Sequence, residues 1–115
     1  MLTVFTPTYN RADMIHKCYE SLKRQHNKDF IWMIIDDGST DNTHLLIEEW
    51  KKRENGFEIE YYYKNNGGLH SAYNEAIAHA NTELMVCIDS DDYMPDDAVE
   101  LIINFWSRYG NKSVA

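Results

Sequence analysis

Apolar residues recur along this chain with two different periods, and the two alternate. Residues 2–6, Leu-Thr-Val-Phe-Thr, form a short β-type run stopped by Pro7. Met14, Ile15, Cys18, Tyr19 and Leu22 then share one face of a helix, while Lys17, Glu20, Lys23 and Arg24 face away. Residues 30–35 are apolar without a break, the pattern of a strand covered on both faces. A second helix is expected to turn Leu45, Leu46 and Trp50 toward the core. Phe57, Ile59, Tyr61 and Tyr63 alternate with Glu58, Glu60 and Tyr62, which predicts a third strand exposed on one side. Asn65-Asn66-Gly67-Gly68 interrupts the pattern. A third helix over about residues 69–80 is then expected to bury Tyr73, Ala76, Ile77 and Ala80. Residues 84–88 make a fourth strand, and beyond Pro95 a last helix carries Val99, Leu101, Ile102, Phe105 and Trp106.

The order is βαβαβαβα, and short loops with right-handed crossovers predict an α/β fold with a parallel, doubly wound, Rossmann-like sheet. At 115 residues one domain is expected, running from Met1 to Ala115. Ligands of such sheets sit beyond the carboxyl ends of the strands. Three polar clusters fall at those ends: residues 7–11, 36–41 and 89–92.

Charge narrows the choice of ligand. A net charge of -8 argues against nucleic acid, whose phosphates demand a basic surface. It would also repel a nucleotide diphosphate unless a cation intervened. Cys18 and Cys87 lie apart in apolar patterns without a CxxC, so two buried reduced thiols are expected. The first residues carry no signal-peptide pattern, and no apolar run reaches the length of a membrane span. A cytoplasmic location is expected, with room for membrane association through a longer parent chain.

A dinucleotide fold would place a glycine-rich turn after the first strand, so that backbone amides could approach a pyrophosphate. Here Thr6-Pro7-Thr8-Tyr9-Asn10 stands in that place, without a glycine, and no Walker-type loop occurs. The fourth strand instead runs into Asp89-Ser90-Asp91-Asp92. Three carboxylates packed this closely repel one another, and Mg²⁺ or Mn²⁺ would relieve that repulsion and bridge to phosphate oxygens. The plainer reading is a solvated acidic turn capping the last helix. At the end of a buried strand, facing two other polar strand ends, the cation is the better reading.

Four motifs carry a resemblance across nearly the whole chain: Thr-Val-Phe-Thr-Pro-Thr-Tyr-Asn-Arg, Ile-Ile-Asp-Asp-Gly-Ser-Thr-Asp, Lys-Asn-Asn-Gly-Gly-Leu-His-Ser-Ala-Tyr-Asn and Ile-Asp-Ser-Asp-Asp. Each is weak alone; in this order they resemble the nucleotide-binding part of family 2 glycosyltransferases, a GT-A-fold group of mostly inverting enzymes. The resemblance implies that Tyr9 stacks on the nucleotide base and that Asp37 accepts a hydrogen bond from it, most often from the N3–H of uracil. Pro7, Thr8, Asn10 and Arg11 would line the base and ribose side, with Arg11 equally readable as a surface residue. Asp36 would fix the loop and Asp41 would cap a helix. Asp91 is the first choice of metal ligand; Asp89 would support the cation or touch the ribose beside Ser90, and Asp92 could exchange roles with either. Gly67 and Gly68 would admit the diphosphate to the backbone, and His70 could donate to a phosphate or simply pack at a helix start. Tyr73-Asn74 replaces the family's commoner Arg-Asn pair, and the double glycine replaces its single one, so the diphosphate contacts are the least transferable part.

The expected partners are a nucleotide diphosphate sugar, a UDP-sugar by family habit, and a saccharide acceptor bound by a second half. In the family, the base that deprotonates the acceptor hydroxyl lies well downstream of the acidic motif, and here it is expected downstream of Ala115. Asp96 and Asp97 follow Pro95 too closely and read as helix caps. The chain is therefore expected to be the donor-binding portion, inactive in transfer by itself, with an unpaired sheet edge that invites self-association. A sugar-phosphate nucleotidyltransferase would open with a glycine-rich, Arg-containing loop, which this chain lacks. A non-catalytic binding or interaction domain of the same fold is the alternative from another class.

Overall fold

In the computed structural model, which describes residues 1–109, strands and helices alternate in the expected order: β1 (Leu2–Thr8), α1 (Ile15–Lys23), β2 (Phe30–Asp36), α2 (Thr43–Lys51), β3 (Glu58–Tyr63), α3 (Gly68–His79), β4 (Leu84–Cys87) and α4 (Ala98–Tyr109). The expected domain ran on to Ala115, and that residue lies outside the described residues. All four strands pair in parallel, in the spatial order β3-β2-β1-β4. The chain steps outward from β1 to β3, then returns across the sheet to place β4 on the other side of β1. Reversing that travel while keeping right-handed crossovers puts α3 on the opposite face from α1 and α2. The break between β1 and β4 is the topological switch point, where such sheets open a crevice.

The two faces are unequally covered. Leu2, Val4, Trp32 and Ile34 pack beneath α1, α2 and α4, together with Ile15, Cys18, Tyr19, Leu22, Ile47, Trp50 and Val99. The Tyr19 ring stacks on Trp50 at 4.1 Å between centroids and on Trp32 at 5.9 Å. Polar atoms inside this cluster are satisfied: the Trp32 indole donates to Thr6 Oγ1 at 2.8 Å, and Asn55, which accepts from Tyr19, donates to the Trp50 carbonyl. On the other face Phe5, Met33 and Ile35 pack against Ala72 and Ala76 of α3, with Tyr62, Ala80 and Met85 at the margin.

Several apolar side chains point elsewhere than periodicity suggests. On α2 the inner stripe is Thr43, Ile47 and Trp50, so Leu45 stands 63% exposed and Leu46 is half-buried. On α3 the small stripe of Ala72 and Ala76 approaches the sheet, and the bulkier stripe of Leu69, Tyr73 and Ile77 tilts outward, with Ile77 63% exposed. Tyr73 keeps an edge contact with Phe5 at 5.1 Å. On α4 Val99, Ile102 and Ile103 face the core, while Leu101 and Phe105 are exposed. The outer face of β3 is not bare, because Tyr62 stacks on His79 at 3.9 Å. Cys18 is enclosed, and burial pushes its thiol up to about 12, whereas Cys87 on the edge strand is exposed. The expectation of two buried thiols therefore holds for one of them. None of the described helices is long and apolar enough to cross a membrane.

Candidate functional site

Strand register brings the three polar clusters together. Thr8 at the end of β1 lies opposite Asp36 at the end of β2, and the ladder continues one step further as Asp37 N donates to the Thr8 carbonyl at 2.9 Å. Lys64 N donates to the Asp36 carbonyl, which carries β3 to the same level. On the other side of β1, Ile88 N donates to the Phe5 carbonyl at 2.9 Å, and Asp89 follows immediately.

A cavity of about 310 Å³ opens at this switch point. It is lined by Pro7, Thr8, Tyr9 and Arg11 from the end of β1, Asp37 after β2, Leu69 and Ala72 of α3, and Asp89, Ser90 and Asp91 after β4. Tyr9 is 45% exposed, leaving much of its ring open to contact. Thr8 is buried, and its Oγ1 is the one enclosed side-chain oxygen or nitrogen without a hydrogen-bond partner among the described residues. An orphaned hydroxyl inside a fold is costly unless a ligand or water meets it.

Asp89, Asp91 and Asp92 each offer a carboxylate oxygen within 4.8 Å of the others. All three are exposed, and a turn in which Asp92 N donates to the Asp89 carbonyl folds them into one cluster. The donor set fits a hard divalent cation: three oxygens, with no nitrogen or sulfur among them. The chain after the cluster is tied to α1. Met94 N donates to Ser21 Oγ, and the buried Gln25 donates to the Pro95 carbonyl while accepting from Val99 N. Asp96 and Asp97 stand just before α4, with Asp96 in an exposed pair with Arg24. The acceptor-activating base is expected downstream of Ala115, which places that expectation outside the described residues.

Other expected residues fall outside the cavity wall. Asn10 adopts a left-handed conformation (φ 52°) and turns its amide oxygen to the backbone N–H groups of Thr40 and Asp41, at 2.8 and 3.2 Å. It holds the loop after β2 against the loop after β1 instead of lining the cavity. Asp36 is fully buried and accepts from Ser39 N and the Tyr61 hydroxyl, a loop-fixing role. Asp41 lies one residue before Asn42, the N-cap of α2, and accepts from Thr43 N and Oγ1 and from Ala12 N. Gly67, Gly68, His70 and Asp92 do not line the cavity, although Gly67 N and Gly68 N bond Asp37 and Asp92 belongs to the acidic cluster.

Asp37, the carboxylate among these that lines the cavity just after β2, accepts three hydrogen bonds. Oδ1 accepts from Lys64 Nζ at 2.8 Å and Gly67 N at 2.9 Å, and Oδ2 accepts from Gly68 N at 2.9 Å. Burial alone would raise its pKa, but the Lys64 and amide bonds together outweigh burial and leave it below the ordinary value. A depressed folded-state pKa stabilises the fold above the unfolded-state value, and that stability is lost as pH falls through the folded one. Asp41, shifted in the same direction by its own bonds, behaves likewise. Acid titration of unfolding free energy should therefore decline less steeply in Asp37→Asn than in the wild type; identical profiles would contradict this assignment.

Two glycines make that arrangement possible. Gly38 has φ +88°, and a Cβ there would meet Asn66 N at 2.9 Å, so the loops after β2 and β3 touch backbone to backbone. A Cβ on Gly67 would lie 3.0 Å from Lys64 Nζ and 2.9 Å from Ser71 Oγ. Lys64 opens the third of the four sequence motifs, but nothing in that motif names Asp37 as its partner.

A family model described as glycosyl transferase family 2 matches residues 3–115. A chondroitin synthase of Pasteurella multocida is 38% identical over 103 residues, covering 90% of this chain and 10% of that protein. Among solved structures, S. aureus TarS 1–349 in complex with UDP superposes with a TM-score of 0.85 at 26% identity, over 95% of this chain and 32% of that one. The mannosyltransferase PcManGT from Pyrobaculum calidifontis, in complex with GDP-Man and Mn²⁺, gives a TM-score of 0.83 at 25% identity, over 92% of this chain and 32% of that one. This chain thus spans about a tenth of the first curated relative and a third of these solved chains.

Proposed function

From the membership of this chain in glycosyl transferase family 2, we propose that its cavity binds a nucleotide diphosphate sugar, a UDP-sugar first, as the donor site of an inverting, metal-dependent glycosyltransferase. Its fold is the amino-terminal half of the GT-A architecture. Tyr9 would offer its ring to the base, and Asp37 would accept a base N–H through the lone pair left on Oδ2. Thr8 Oγ1 would gain the partner it lacks from the base or ribose. Arg11 and Ser90 also line the cavity and would contact the ribose or the first phosphate. Asp91 and Asp89 would hold Mn²⁺ or Mg²⁺, with Asp92 completing the set. A divalent cation there would screen the diphosphate and stabilise it as a leaving group.

One cavity joins the acidic cluster to a buried, unpartnered hydroxyl, and that conjunction supports a phosphorylated, hydroxyl-rich ligand over a solvated helix-capping turn. The saccharide acceptor and the base that would deprotonate it would belong to the whole glycosyltransferase; Asp96 is engaged in a surface pair with Arg24.

Calorimetric titration of the chain with UDP and with GDP, each with and without Mn²⁺, tests the proposal. Binding of UDP that requires Mn²⁺ is expected. Binding indifferent to the metal would remove the role of the carboxylates, and no binding at all would favour an interaction domain of the same fold.

A further inference from the structure

We propose that Lys64 is a positioning residue for base selection: by clamping Asp37 it aims one carboxylate lone pair into the cavity and thereby favours bases that present a ring N–H. This rests on the nucleotide-binding reading above and adds to it a residue that does not touch the ligand.

The geometry carries the inference in three steps. First, Lys64 is built into the loop and is not a surface cation. Its Nζ is bonded to Asp37 Oδ1 at 2.8 Å and to the Asn65 carbonyl at 2.6 Å, and its side chain is only 15% exposed. It packs close against the backbone at position 67, where a Cβ would lie 3.0 Å from Nζ. Second, the clamp is asymmetric. Lys64 Nζ and Gly67 N together occupy both acceptor positions of Oδ1, while Oδ2 takes Gly68 N alone. A carboxylate oxygen accepts about two such bonds, so the remaining position is on Oδ2. Asp37 lines the cavity, which puts that position within reach of its contents.

Third, an ionised carboxylate only accepts hydrogen bonds. Uracil presents a ring N–H between its two carbonyls and can donate to such a group. Cytosine presents a ring nitrogen that is itself an acceptor, so its lone pair would oppose the carboxylate. Discrimination of this kind depends on the carboxylate staying charged and fixed in direction, and Lys64 serves both conditions. Lys64 therefore acts on the base through Asp37.

Lys64→Met keeps most of the stem and removes the ammonium. Affinities for UDP and CDP in saturating Mn²⁺ are measured for the wild type, Lys64→Met, Asp37→Asn and the double variant, with thermal midpoints recorded in parallel. The UDP-to-CDP preference is expected to shrink about tenfold in Lys64→Met, the scale of one charge-assisted hydrogen bond. In the Asp37→Asn background the same substitution should change the preference no further, because the group it acts through is already gone. Equal losses of UDP and CDP would mean that Lys64 is merely structural or serves the diphosphate, and would overturn the proposal. So would an unchanged preference, or a further loss in the Asp37→Asn background. A wild type that binds no nucleotide would overturn the donor-site reading and this inference together; a wild type that binds, with preference intact in Lys64→Met, overturns this one alone.

Discussion

Trp32→Ala should cost this fold about 3–5 kcal/mol, the range for removing a fully buried large aromatic side chain. The indole sits at the centre of the larger core with no exposed surface, within stacking distance of both Tyr19 and Trp50. Truncation leaves a cavity that β2 and its flanking helices cannot close, because both neighbours of β2 are strands of the same sheet. It also strips the hydrogen-bond donor from Thr6 Oγ1, whose other contact is the Cys18 sulfur at 3.9 Å. Small domains have about 5–15 kcal/mol in total, so the variant should be close to unfolding at physiological temperature. Trp32→Phe, which retains a ring but not the N–H, should lose clearly less. Urea unfolding followed by far-ultraviolet circular dichroism measures both. A loss under about 1 kcal/mol in Trp32→Ala would contradict the packing described here, since core truncations of this size do not fall so low.

Asp91→Asn is expected to separate stability from binding. The substitution keeps the size of the side chain and removes one charge from three exposed carboxylates that approach within 4.8 Å. Without a cation those charges repel, so the variant should be as stable as the wild type or slightly more so in the presence of a chelator. With Mn²⁺ the sign reverses. Even changes beyond the direct ligands cost about 10–100-fold in metal affinity, so loss of a ligand oxygen should weaken Mn²⁺-dependent UDP binding by at least about that much. Asp89→Asn should follow closely, because Asp89 shares the cavity wall with Asp91, and Asp92→Asn should be mildest. Calorimetry with and without Mn²⁺ reads the affinities, and thermal unfolding in chelator reads the stability. Should Asp91→Asn bind UDP and Mn²⁺ as the wild type does, the acidic turn is only a solvated turn.

The order of elements, the parallel sheet and the meeting of three strand ends could all be read from the sequence. Each depends on local period and on handedness, which residues within one segment declare. Side-chain direction was less legible where two apolar stripes compete on one helix. In α3 the stripe of Ala72 and Ala76 is innermost because small residues let the helix lie close to Phe5 and Met33, and nothing in the helix itself announces that preference over Tyr73 and Ile77. Cys87 looked buried because its neighbours are apolar, but β4 is an edge strand and edge position is a property of the whole sheet. In the candidate site, the acidic cluster and Tyr9 stood out as residue types at strand ends. Asn10 stood out in the loop after β1, but the sequence did not announce that its amide oxygen serves Thr40 and Asp41. The roles of Lys64, which opens a quoted motif, and of Gln25 could not be read because their partners lie far away in the chain, Asp37 for one and Pro95 and Val99 for the other.

Gln25 has a consequence for how the acidic turn would meet its ion. The segment bearing Asp89, Asp91 and Asp92 leaves β4, whose backbone is bonded to β1, and ends where the Gln25 side chain grips Pro95 and Val99. A tether anchored at both ends has surrendered its freedom once the polypeptide has folded, well before any solute arrives. Little conformational entropy is then left to forfeit on capture, and shedding water would be the main cost to an incoming ion.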